Sequence, residues 1–589
     1  MIIPKASARH LRPVTVIAQD PSFTRSGQIV KACLSIPAER LEPGPSGARI
    51  RVVDYDASTG ALYQADRKGV SAGGELIDRF ADSSDAELLA NPHFHAQNVY
   101  AIVSCTLARF ERALGRRVSW GFAGHQLLIA PHAMCEANAF YDESIRSLLF
   151  GYCADPVAGP EKVVFSCLSH DVIVHETTHA LLDGLRDRFT EPSSLAQDGF
   201  HEGFSDVVAL LSVLSSRELV TALLRPDPPP GAPPVKEPYR LRLGDLTIEN
   251  LRDGPLFTLA DEMGPAINGA GSGPLRRSLS TIGMSTSWKQ DPDFEWWHRY
   301  GEVLVCAVLN AFLNVWCKRI RHLAGALGRE KDTDEIDHRL VAQEAADAAE
   351  SLLTMMIRAL DYTAPTHITY EDFLSAVLTA DRETVPDDSR YGYRQILREC
   401  FAKLGIKPAS TKVEGGVWEA PDLDLRYDRV RFESILRDPE EMFRFIWENR
   451  KALKIEQNAY TRVESVRPVM RVGPDGFVMR ETVAEYTQRL TVRADRLESV
   501  LGTGSRPQGL DDSTPVTLWG GGTLILDEYG RVKYHIRNRL MNRKLQSKRI
   551  QYQASKDQLA AAGRSGSPFA GRHLARSLGS RSTYGAGSF

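Results

Sequence analysis

An α+β fold is predicted by three features of the 589-residue sequence. The first 80 residues mix β-branched runs with Gly and Pro turns, and much of the middle repeats apolar residues at three- and four-residue steps. Near Tyr529 two alternating runs flank a tight turn. Period-two alternation belongs to strands and a 3.6-residue repeat to helices, so both element types are expected.

Taken in order, Ala48–Asp54 (ARIRVVD) reads as a strand between turns. Asn98–Leu114 has helical spacing and is followed by Gly115, a C-cap. Short β-like pieces continue to about Tyr141, making residues 1–160 a β-rich N-terminal lobe. Glu161–Leu185 reads as one long, largely buried helix, and a second begins near Gly199 (GFHEGFSDVVALLSVLSS). Residues 225–238 are a proline-rich surface loop, and 264–283, rich in Gly and Ser, are irregular. His298–Leu323 and Val341–Leu360 extend a helical lobe over 161–406. Residues 407–510 are charged and weakly periodic, and Thr514–Arg537 carries a β-hairpin around Glu528-Tyr529-Gly530, giving an accessory region over 407–540.

Residues 531–589 hold thirteen Lys/Arg against one acid, Asp557. The basic tail, 541–589, is expected to be solvated and partly disordered, with a nucleic acid or another anionic partner as the alternative.

The length allows roughly three or four domains of about 150 residues. The 43% hydrophobic and 25% charged content is that of a soluble globular chain. Acids (75) and bases (72) nearly cancel, so net charge does not make the whole chain a polyanion binder. Eight cysteines, without CxxC or a regular framework, read as reduced thiols. The N-terminus, MIIPKASARHLRPVTVIAQD, lacks a secretory pattern, so a cytoplasmic location is expected, signal-independent export being the alternative. The most apolar run, Gly301–Trp316, contains Glu302, Asn310 and Asn314 and reads as a buried helix, with no transmembrane segment expected.

The chemistry concentrates in residues 171–187, DVIVHETTHALLDGLRD. On a helix His175 and His179 share one face a turn apart, close enough to ligate one Zn²⁺. Glu176, rotated about 100° from His175, can miss the metal and act as general base on a water. A metzincin would place Gly at 182 and His at 185, and both are leucine. Glu202 in HEGFSD could instead be the third ligand, and Asp206, four residues on, could accept the outer N–H of a ligating histidine. Asp183, four residues after His179, is a second candidate for that role.

HETTHALLD followed by HEGFSD resembles the thermolysin-like gluzincin metallopeptidases, over roughly residues 45–406. Asn138-Ala139-Phe140-Tyr141 is similar to the family's substrate-binding edge strand. Arg277-Ser278-Leu279-Ser280 is similar to the stretch whose arginine binds a substrate carbonyl, and Asp293 with His298 to its Asp/His pair at the oxyanion. The resemblance implies a two-lobed fold with the active-site helix between the lobes. It implies a zinc endopeptidase with ligands His175, His179 and Glu202, base Glu176, His298 and Asp293 at the oxyanion, and Asn138, Ala139 and Arg277 on a peptide substrate. Ser193 stands where the family keeps a tyrosine. Asp171 matches one family calcium ligand, but no acidic cluster follows Asp206, which leaves calcium doubtful. The alternative is a zinc-stabilised, non-proteolytic scaffold of the same fold.

Overall fold

The N-terminal strand segments build two main sheets and two short hairpins in the computed structural model, which describes residues 11–155, 159–225, 238–253, 284–473 and 475–555. Strands β1 (Leu11–Ile17) and β2 (Lys31–Pro37) pair antiparallel. The larger sheet uses β3 (Ile50–Val52), β4 (Leu127–Met134), β5 (Ala139–Asp142), β6 (Ser147–Asp155) and β7 (Gly159–Phe165). Its order is β7-β6-β4-β3, with β5 antiparallel on β6.

Helix α1 (Pro92–Leu114) runs between β3 and β4 in the chain and packs on both sheets. Asn91 caps it, Pro92 occupies its first turn, and Gly115 ends it at φ 70°, the left-handed conformation that glycine tolerates. It starts six residues before the expected Asn98 because its first turns bury polar side chains, among them His95 and Gln97, that an apolar repeat does not register.

The expected single helix over Glu161–Leu185 is two elements. Val163, Val164 and Phe165 continue as β7 against β6, and a 3-10 turn, Ser166–Leu168, leads into α2 (His170–Leu185). The run is apolar in both halves, so periodicity did not separate a strand from a helix. A domain boundary at 160 would cut β7, so the motif helix is continuous with the sheet. Every residue of α2 but Gly184 is buried. Its buried hydroxyls are satisfied locally, Thr177 donating to the Ile173 carbonyl (2.6 Å) and Thr178 to that of Val174 (2.7 Å).

The helical lobe contains α3 (Leu195–Leu214), α4 (Trp297–Ala326), α5 (His338–Ala359), α6 (Tyr370–Thr384) and α7 (Tyr393–Lys403). Ser194 caps α3, which begins four residues before the expected start near Gly199. Helix α4 is the one unbroken helix among the described residues long and apolar enough to cross a membrane, and 83% of its most apolar window is buried inside the protein. It is the core helix expected from its embedded Glu302, Asn310 and Asn314.

Beyond residue 407 the chain is far more regular than its charged sequence suggested. Strands β8 (Tyr460–Val472), β9 (Val478–Arg493), β10 (Pro515–Asp527) and β11 (Val532–Asn538) form a four-stranded antiparallel meander. The β10–β11 turn is the expected hairpin: Gly530 has φ 71°, and the Asp527 side chain accepts from the amides of Tyr529 (2.9 Å) and Arg531 (2.8 Å). Strands β8 and β9 escaped notice because their inward positions include charges paired in the interior, such as Arg471 with Glu481 at 2.7 Å.

This sheet packs against the helical lobe. Ile525, Tyr534 and Ile536 belong to the same apolar core as the helical lobe. Arg116 holds Asp361 bidentately (2.6 and 2.7 Å), and Arg471 of β8 bonds the same carboxylate. The expectation of disorder from residue 541 is also corrected for its first part. Helix α8 (Arg543–Ser555) buries Gln546, Arg549 and Ile550, and Tyr552 donates to Asp198 of α3 (2.8 Å). Residues 556–589, most of the proline-rich loop and all of 264–283 lie outside the described residues.

Candidate metal centre

Two helices bring the motif residues together. Helix α2 carries His175, Glu176 and His179, and α3 crosses it carrying Glu202 and Asp206. His175 Nε2 and His179 Nε2 are 2.9 Å apart, and a Glu202 carboxylate oxygen lies 3.6 and 3.8 Å from them. Zinc bonds of about 2.0–2.1 Å at tetrahedral angles require donors about 3.3 Å apart, which these separations bracket. Two neutral imidazoles and a carboxylate are also a donor set that zinc takes, so the residues fit the ion.

The outer nitrogens differ in their partners. His175 Nδ1 lies 2.8 Å from Asp206 Oδ1, the carboxylate–histidine pairing that orients a metal ligand. Burial disfavours a proton on His175, but Asp206 outweighs it and raises the imidazole well above its ordinary value, so proton and metal would compete there. His179 Nδ1 instead faces His201 Nδ1 at 2.8 Å, with the rings stacked, and Ser205 Oγ at 3.3 Å. His201 and Ser205 were missed by sequence reasoning. Their signal was present in HEGFSD, where they sit four apart and so share a face of α3.

Asp183 does not take the role expected beside His179. Its carboxylate accepts the Tyr141 hydroxyl at 3.0 Å. Burial first, and then the Glu143 charge, push its pKa up to about 7 against that hydrogen bond.

Glu176 lies against β5, where its Oε2 accepts the Tyr141 backbone N–H at 3.1 Å. Asn138 and Ala139 head this strand and are buried: the Asn138 carbonyl accepts from Gly151 (2.8 Å), and its side chain folds onto the Ala139 amide (3.0 Å). The base candidate therefore touches the strand singled out for substrate.

His298, in the first turn of α4, places Nε2 3.7 Å from Glu202. Helices α3 and α4 meet at glycines, since a Cβ on Gly203 would stand 2.5 Å from the Gly301 carbonyl. Asp293 is exposed in a 3-10 turn before α4, and no contact joins it to His298 among the described ones. The expected pair is therefore not brought into contact among the described residues. Arg277 lies outside the described residues.

No known protein family and no curated protein matches the chain.

Proposed function

We propose that the protein is a zinc-dependent endopeptidase with the two-lobed arrangement of the thermolysin-like enzymes, α2 lying between the β-rich and helical lobes. The observation that carries this reading is the convergence of His175, His179 and Glu202 from two helices, with Asp206 on the outer nitrogen of His175. A buried structural ion would need those ligands, but it would not need a glutamate next to the first histidine and in contact with an edge strand.

In this reading His175, His179 and Glu202 hold Zn²⁺. The bound ion supplies Lewis acidity toward a water and the scissile carbonyl. Asp206 keeps the His175 ring oriented so that its inner nitrogen is unprotonated. Glu176 accepts the proton of the attacking water and returns it to the leaving nitrogen, with its carboxylate aligned by the Tyr141 amide. The backbone of β5 pairs with an extended substrate, which adds as a further strand. His298 donates to the negative charge that develops on the carbonyl oxygen, a contribution worth about 10²–10³ in rate for a single donor.

Replacing Glu176 by Gln and measuring zinc content together with peptide cleavage tests this. Zinc in both proteins, with cleavage only by the wild type, is expected. Ser193, buried in the segment before Glu202, favours a second reading, the non-proteolytic scaffold. Zinc without cleavage in either protein would establish that reading instead.

A further inference from the structure

A second group of metal-ligating side chains lies outside the centre described above. His95 comes from α1, His132 from β4 and Cys167 from the 3-10 turn that leads into α2. One ligand atom of each lies within 4.8 Å of the others, and all three residues are at most 2% exposed.

Hydrogen-bond accounting fixes the tautomers. His132 Nδ1 lies 2.7 Å from Asp54 Oδ2, while the other oxygen of Asp54 accepts the His132 backbone N–H at 3.0 Å. An ionised carboxylate only accepts, so the ring proton of His132 sits on Nδ1. His95 Nε2 lies 3.1 Å from the Leu89 carbonyl, which also only accepts, so its proton sits on Nε2. The two remaining nitrogens, His95 Nδ1 and His132 Nε2, then face each other as lone pairs at 2.8 Å. Two lone pairs at that distance repel, so a cation has to lie between them.

A shared proton could be that cation, and it would balance the Asp54 charge. It would leave Cys167 without a role. Burial holds the proton on the Cys167 sulfur, but a divalent ion would displace it and balance Asp54 and the resulting thiolate together. Each imidazole already has the outer partner, a carboxylate or a backbone carbonyl, that accompanies metal-ligating histidines. Phe165 (4.8 and 5.4 Å from the two rings) and Tyr63 (4.9 Å from His132) wall the site with aromatic surface.

We infer that His95, His132 and Cys167 form a second, structural site for a thiophilic divalent cation, Zn²⁺, with Asp54 and the Leu89 carbonyl orienting the imidazoles. The ion would pin α1, β4 and the entry to α2 to one another, eight residues before His175. It involves none of the residues assigned to peptide cleavage, so it stands whether or not the chain is a peptidase.

Cysteine ligation separates the two sites spectroscopically. The full chain, with the exposed Cys33 and Cys135 changed to Ser, is produced in cobalt-supplemented minimal medium and its metal content measured. Two equivalents of cobalt and a near-ultraviolet thiolate-to-cobalt charge-transfer band are expected. In H175A/H179A one equivalent and the whole band should remain, which tests the site with Cys167 intact. In C167S the band should vanish. A folded protein without the band, whose only metal disappears in H175A/H179A, would overturn the inference and leave a proton between the rings. A band that persists in C167S would overturn it as well.

Discussion

Asp183 and Asp206 look alike in the sequence, each four residues beyond a candidate ligand on the same helix face. Their fates diverge because a histidine's outer nitrogen is reached from a crossing helix. Asp206 arrives on α3 and meets His175, whereas Asp183 meets Tyr141. The convergence of His175, His179 and Glu202 was legible because HExxH and a downstream glutamate encode local helix geometry. The partners His201 and Ser205 were not, because they depend on how α3 docks on α2. Asp183 also makes a pH prediction. Its folded pKa of about 7 exceeds the ordinary value of 3.8, so between those values the folded chain retains a proton that the unfolded chain releases. Stability therefore falls as pH rises through this window. Unfolding free energies from urea titrations at pH 4 to 8 should show a shallower decline in Asp183→Asn than in the wild type, by up to about 1.4 kcal/mol per pH unit. Equal slopes would place the carboxyl outside the buried contact with Tyr141.

At the level of elements, the α3–α4 crossing sets Glu202 against His298. Gly203 and Gly301 let the two backbones touch, and a Cβ at 203 would force them apart. Gly203→Ala should destabilise the fold by about 1–3 kcal/mol, the usual range for overpacking, and weaken zinc binding by displacing Glu202. Gly325→Ala, on the same α4 but with open space around it, is the control and should leave zinc binding unchanged and stability equal or up to about 1 kcal/mol higher. Thermal unfolding and zinc competition read the pair, and equal effects would mean the crossing tolerates a methyl group. Long apolar helices such as α4 were legible because length and periodicity agree. The β7–α2 junction was not, since Val163-Val164-Phe165 and the helix after it are apolar alike. Strands β8 and β9 were obscured because pairs such as Arg471–Glu481 put charge where a strand pattern expects apolar residues.

Across the whole molecule, the C-terminal sheet latches the motif helix. Arg186, the C-cap residue of α2, is buried, donates to the carbonyls of Leu185 and Leu360, and pairs with Glu485 of β9. Removing one partner of a buried ion pair costs about 3–5 kcal/mol because it strands the other. Glu485→Ala should lower stability by that amount, as measured by denaturant unfolding. A chain ending at residue 410 should lose cooperative unfolding and zinc together. A truncated chain that kept both would return the C-terminal region to the separable status its sequence suggested. The centre itself is tested most directly by anomalous diffraction at the zinc edge on crystals of the full chain. A peak about 2.0–2.2 Å from His175 Nε2, His179 Nε2 and a Glu202 oxygen is predicted, with Glu176 outside the coordination sphere. No peak there in zinc-replete protein, or a peak ligated by Glu176 in place of Glu202, would contradict the account.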